Sequence, residues 1–128
     1  MATATYKRGE MRTVTYLATA DVAANEIVVC GVVDAKKCHV GVARVAIADT
    51  ETGVVAVSGV FEFPKVSAAV IKAGEAVNWD SSAGGVEDNA HTTGAGDVAE
   101  FGIAMADAGN GTTVVDIDIA EPGSYDAA

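Results

Sequence analysis

The sequence predicts a mainly β protein, a compact antiparallel β-sandwich or β-barrel with a short helical turn and an extended N-terminal arm. Three observations predict it. Short Val-, Thr- and Ile-rich runs alternate apolar and polar residues, as half-buried strands do. Fourteen glycines against two prolines, scattered between those runs, supply tight turns. Half of the residues are hydrophobic but only 5% are aromatic, so Ala and Val form a fine-grained core with small side chains left over for flat faces. A chain of 128 residues is one domain, long enough to fold around a single core. The expected layout is an arm over 1–13, a single β domain over 14–120 and an acidic C-terminal tail over 121–128.

The elements follow in order. VTYLA at 14–18 and EIVVCGVV at 26–33 read as the first strands. HVGVARVAIA at 39–48 sets Val40, Val42 and Arg44 on one face and Gly41, Ala43, Val45 and Ile47 on the other. DTETG is a turn that joins antiparallel strands. VVAVSGVFEF at 54–63 reads as one strand with Val55, Val57, Phe61 and Phe63 on its buried face, and Pro64, which has no N–H to donate, ends it. VSAAVIKA at 66–73 lacks strict alternation and predicts the helical turn, stopped by Gly74. EAVNWD at 75–80 is again a strand, and the polar, Gly-rich stretch 81–97 predicts a long loop or a loose hairpin. EFGIAMADA at 100–108 and TVVDIDI at 113–119 predict a hairpin turning at Asn110-Gly111 in type I′ geometry. EPGSYDAA has no core to join.

Charge is distributed unevenly. Residues 1–72 hold all eight Lys and Arg against seven acids, a net +1, whereas residues 73–128 hold eleven acids and neither Lys nor Arg. A nucleic-acid backbone demands several cations, so nucleic acid is not an expected partner. No run of apolar residues approaches the length of a membrane span and the N-terminus lacks signal-peptide order, so a soluble protein made in the cytoplasm is expected, with no membrane partner. Cys30 and Cys38 are the only cysteines and are not expected to pair in that compartment.

Motifs for chemistry are sparse. No G-x-x-x-x-G-K-[ST] phosphate cradle occurs. Cys30, Cys38 and His39 are soft ligands without the paired spacings of structural zinc, and His91 lies far along the chain in the expected loop, so no metal and no cofactor are expected. Asp116 and Asp118 share a strand face, which reads as solvated acid rather than acid–base chemistry. Asn110-Gly111-Thr112 matches a glycosylation sequon by way of its turn. No catalytic residue and no enzyme activity are expected. Tyr6, Lys7, Arg8 and Arg12 precede the first convincing strand with one acid, Glu10, among them. Such an aromatic and basic arm is either a docking strip or a frayed end.

The stretch SGVFEFPKVSAAVIKAGEAVNWD at 58–80 resembles the signature of a family of small tailed-phage capsid decoration, or cement, proteins. Its members read G-V-F-E-L-P-K, then an Ala-rich stretch, then G-D/E-x-V-Y-W-D, then a Gly-containing loop and a strand beginning I/F-G-x-A, here Phe101-Gly102-Ile103-Ala104. The likeness covers about residues 8–119. Asn78 departs from the pattern at a position usually aromatic, and the loop from Ser81 to Asp97 is longer. Some members are labelled RecA- or RadA-type recombinases, to which a chain without a Walker lysine lends no support. The resemblance implies a virion structural protein on the outer surface of an icosahedral capsid, synthesised in the host cytoplasm. Its partners would be the major capsid protein and copies of itself, as a homotrimer or a dimer. Tyr6, Lys7, Arg8 and Arg12 would make capsid or inter-subunit contacts. The alternatives are another phage head or tail β-module and, further off, a nucleotide-binding recombinase-like protein.

Overall fold

The computed structural model describes residues 2–32, 37–119 and 122–125. They form eleven strands: β1 (Thr5–Arg8), β2 (Thr13–Leu17), β3 (Ile27–Val32), β4 (Lys37–Ala43), β5 (Thr52–Ala56), β6 (Val60–Pro64), β7 (Ala76–Asp80), β8 (Gly85–Asp88), β9 (Val98–Ala104), β10 (Val114–Asp118) and β11 (Gly123–Tyr125). All pairings between strands are antiparallel, in the order β1-β6-β10-β9-β11-β4-β5-β2, with β3 on β4 and β7 joining β9 to β8. The sheet curls as a half-barrel, the antiparallel β class that the alternation predicts.

Two seven-residue strands organise it. Along one edge β4 pairs with β3; along the other it takes β11 at Lys37 and Cys38 and β5 at Val42 and Ala43. Similarly, β9 pairs with β7 on one edge and with β11 and then β10 on the other. Thus β11 joins the two halves. A Cβ at Gly123 would meet a Val98 methyl at 2.5 Å and the Ala99 carbonyl at 2.6 Å, so only glycine admits this approach. The expected tail therefore contributes a sheet strand at 123–125, because its backbone groups find partners on both sides; 120–121 and 126–128 lie outside the described residues.

Alternation sends side chains into two cores. Ile27, Cys38, Val40, Val42, Phe61, Phe63, Trp79, Phe101 and Ile117 belong to the larger, and Val28, Cys30, Ala43, Ile47 and Val55 to the smaller. The stretch expected as one strand over 54–63 is two, β5 and β6. The chain turns at Ser58 and Gly59, so Val55 faces the smaller core and Phe61 and Phe63 the larger. Ser58 accepts a hydrogen bond from Arg12 N at 2.6 Å and donates one to the Glu10 carbonyl at 2.8 Å, which fixes the corner.

The expected helical turn over 66–73 is absent: the described residues contain no helix. Turns occupy this segment, with Ala69 N donating to the Val66 carbonyl and Ile71 bridged to Ala108. Cross-chain partners satisfy the backbone that a helix would have satisfied locally. Lys65 explains the Pro-Lys step. It is buried, and its Nζ donates to the carbonyls of Val66, Ser67 and Thr112 at 2.7–3.1 Å, gathering the turn against the segment before β10. Burial lowers its pKa, and the nearby Glu87 opposes that shift.

The β9–β10 pair forms as expected, although not through a type I′ hairpin. Only Ile117 with Ala104 and Asp118 with Ile103 are paired, and Gly111 but not Asn110 has a positive φ, +95°. Thr112 N closes the turn on the Gly109 carbonyl. The intervening residues are drawn off to Ile71 and Ser67, so they do not zip up the hairpin. β7 and β8 make a short hairpin through the turn at 81–84, with Gly84 N donating to the Asp80 carbonyl at 2.8 Å.

Asn78 is buried in β7 beside an irregularity in the β7–β9 register. Its Oδ1 accepts from Glu100 N at 2.9 Å, and its Nδ2 donates to the His91 carbonyl at 3.2 Å. Glu100 has φ +54°, which turns its N–H out of the ladder, and the amide satisfies it. An aromatic ring at this position would leave both partners unpaired.

Cys30 and Cys38 are free and lie in different cores. Burial, with Cys38 adding a smaller effect, pushes the Cys30 thiol up to about 11, and burial also raises Cys38. At neutral pH, Ellman's reagent is expected to modify neither thiol in the folded protein and both after unfolding. Rapid reaction of the native protein would contradict this packing.

Candidate functional site

Of the basic residues singled out from the sequence, Lys7 and Arg8 lie on β1 at one end of the sheet order, whereas Arg12 immediately precedes β2, the strand at the other end. β1 pairs through Thr5, Tyr6 and Arg8 with Glu62, Phe61 and Val60 of β6, and its other edge has no strand partner in the sheet order. The segment 2–8 is tied down further: Ala4 is buried and its N–H donates to the Asn25 carbonyl, and Ile27 N donates to the Ala2 carbonyl. What reads in sequence as an arm before the domain is an edge strand of the sheet, because Tyr6 and Ala4 find apolar partners in the core.

Tyr6 packs edge-on against Phe61 at 5.4 Å, and its hydroxyl donates to the Gly9 carbonyl at 2.6 Å. Lys7 faces Glu62 and Arg8 faces Asp116, each at 3.8 Å. Both pairs are exposed and worth little, about 0–1 kcal/mol each, so a competing acidic surface displaces them readily. Arg12, just before β2, lines a cleft of about 380 Å³ with Gly9, Glu10, Ser58, Gly59, Val60 and Asp118.

Arg44 joins this group and was not singled out from the sequence. Its guanidinium lies 6.0 Å from the Tyr6 ring and 5.8 Å from the Phe61 ring, and it donates to Asn25 Oδ1 at 3.4 Å. The signal was present in the alternation, which puts Arg44 on the face of Val40 and Val42. A cation following two core valines calls for an aromatic partner. The edge therefore offers an aromatic ring and guanidinium groups backed by the rigid Phe61.

Of the other candidates, Asp116 serves as the partner of Arg8. His91 lies in a loop, as the sequence suggests, and there comes together with Asp80 and Asp97, a set able to hold a metal ion. Among the described residues no helix is long and apolar enough to cross a membrane.

The phage cement protein family matches residues 6–119, and the chain belongs to that family. No curated protein matches the chain. The matched span runs from Tyr6 on β1 through the end of β10, so it includes the edge strand as well as the aromatic core. A phage structural role in the capsid follows from membership.

Proposed function

We propose that the protein binds the outer surface of an icosahedral phage capsid and stabilises it without catalysing a reaction. The observation that carries this reading is the family match over nearly the whole sheet. Supporting it is the exposed strand β1, whose cations Lys7 and Arg8 are held only by weak pairs with Glu62 and Asp116, with Arg12 in the neighbouring cleft. In this reading β1 meets the major capsid protein, with Tyr6 as the apolar anchor and the basic groups exchanging weak internal pairs for acids on the shell. The acidic half faces solvent. Copies associate as a homotrimer, closing through apolar faces such as the β2 edge, where Val14 and Leu17 are exposed.

The test is decoration of purified undecorated capsids, read by cosedimentation and particle reconstruction. Wild type is expected on the exterior in hundreds of copies, and Arg8→Glu with Arg12→Glu is expected to bind weakly, with a deficit that shrinks as salt rises. Full occupancy by the double variant would show that another face docks. A few copies confined to a vertex or tail would identify a head-completion or tail module. Deleting 2–12 is a poor substitute, since it removes a paired strand and the buried Ala4. Sedimentation of the free protein reads the trimer, and isolated single copies on the particle would reject it.

A further inference from the structure

We propose that Asp80, His91 and Asp97 form a binding site for a divalent transition-metal ion of the zinc class. The three converge from the end of β7, the loop after β8 and the residue before β9. His91 Nε2 lies 3.6 Å from Asp80 Oδ2 and 3.5 Å from Asp97 Oδ2, and all three ligand atoms fall within 4.8 Å of one another. Those separations are long for hydrogen bonds. They suit ligands about 2.0–2.2 Å from a tetrahedral ion, whose donor atoms stand about 3.3–3.6 Å apart.

The surrounding hydrogen bonds orient both carboxylates. Asp80 Oδ1 accepts from Ser82 N, Ser82 Oγ and Ala83 N, which turns Oδ2 toward His91. Asp80 is 8% exposed, and its Oδ2 faces His91 Nε2. Two carboxylate oxygens thus face one imidazole nitrogen, a mixed nitrogen and oxygen donor set that a cation can share. Asp97 is held likewise, Oδ1 accepting from Ser81 N and Oγ and Oδ2 from Gly94 N. Glu87 Oε2 stands 3.9 Å from Nδ1, the other nitrogen of His91, the side from which a carboxylate orients a metal-bound imidazole.

Charge and access agree. Three carboxylates surround one imidazole, and Lys65 near Glu87 offsets only one of them, so a bound cation would balance the rest. A cleft of about 260 Å³, lined by these residues with Ser82, Thr92 and Gly94, opens the fourth position to water. The ion would pin the 81–97 segment to the ends of β7 and β9. Spacing in sequence gave no hint of this, since ten residues lie between Asp80 and His91 and folding alone joins them.

The experiment uses full-length protein freed of metal by chelator, titrated with zinc chloride by calorimetry and with cobalt(II) by absorption. Expected are one ion per chain, d–d bands of a tetrahedral nitrogen and oxygen site, a change in the emission of Trp79 and, in the wild type, selective broadening of His91 ring resonances by cobalt. His91→Gln and Asp97→Asn should each weaken binding at least about tenfold, while His39→Gln leaves it unchanged. Unfolding curves without metal establish that each variant is folded, and the resonance assignment stands even if one is not. Absence of saturable binding to wild type overturns the proposal. So does unchanged affinity in His91→Gln, or a thiolate charge-transfer band placing the ion on Cys30 or Cys38.

Discussion

Phe63→Ala is expected to destabilise the protein by about 3–5 kcal/mol, a large part of the 5–15 kcal/mol that holds a domain of this size. Phe63 is fully buried and lies 5.4 Å from Phe101 and 6.1 Å from Trp79, with Trp79 and Phe101 at 6.4 Å from one another. Three strands, β6, β7 and β9, each contribute one ring to this cluster. Elsewhere the larger core is built mostly of Val, Ile and Ala on sheet backbone, which cannot collapse to fill a phenyl-sized void. Chemical denaturation should show a lower midpoint with an unchanged slope. A loss below about 1 kcal/mol would mean that the three rings are not a packed unit.

Lys65→Ala is expected to cost about 1.5–3 kcal/mol. Removing the ammonium leaves the carbonyls of Val66, Ser67 and Thr112 without their shared donor in a site that water reaches poorly. Lys65→Met separates the two contributions, keeping the apolar stem while losing the donors; it should recover only the packing part. If Lys65→Met equals wild type in thermal unfolding, the three carbonyls find other partners and the ammonium is not what orders the turn.

Sequence alternation captured the parts of the fold governed by strand period: the faces of β4 and β6, the strand character of β7, β9 and β10, and the stop at Pro64. It failed where neighbours distant in sequence decide. β1 and β11 are too short and too polar to announce themselves, and become strands because edges of β6, β4 and β9 are available to pair with them. The segment 66–73 offered no strand period, and beyond the Val66–Ala69 turn its backbone pairs with Val86, Ala108 and Gly111. Similarly, the aromatic and basic cluster was visible in sequence, but Arg44 joins it only through the stacking of Tyr6 on Phe61. The Asp80, His91 and Asp97 set was invisible for the same reason.

The position of β11 bears on how the molecule is made. Gly123 lies against Cys38 and Ser124 against Ala99, so one short strand completes hydrogen-bond ladders with residues synthesised long before it. While a nascent chain is still short of residue 123, β4 and β9 each keep part of an edge unpaired, which is the condition under which sheets associate with the wrong partner. Pairings of such high contact order form late and slowly. β11 thus acts as a latch, and a truncation before Gly123 should yield chains that aggregate during synthesis even though both apolar cores are encoded in full.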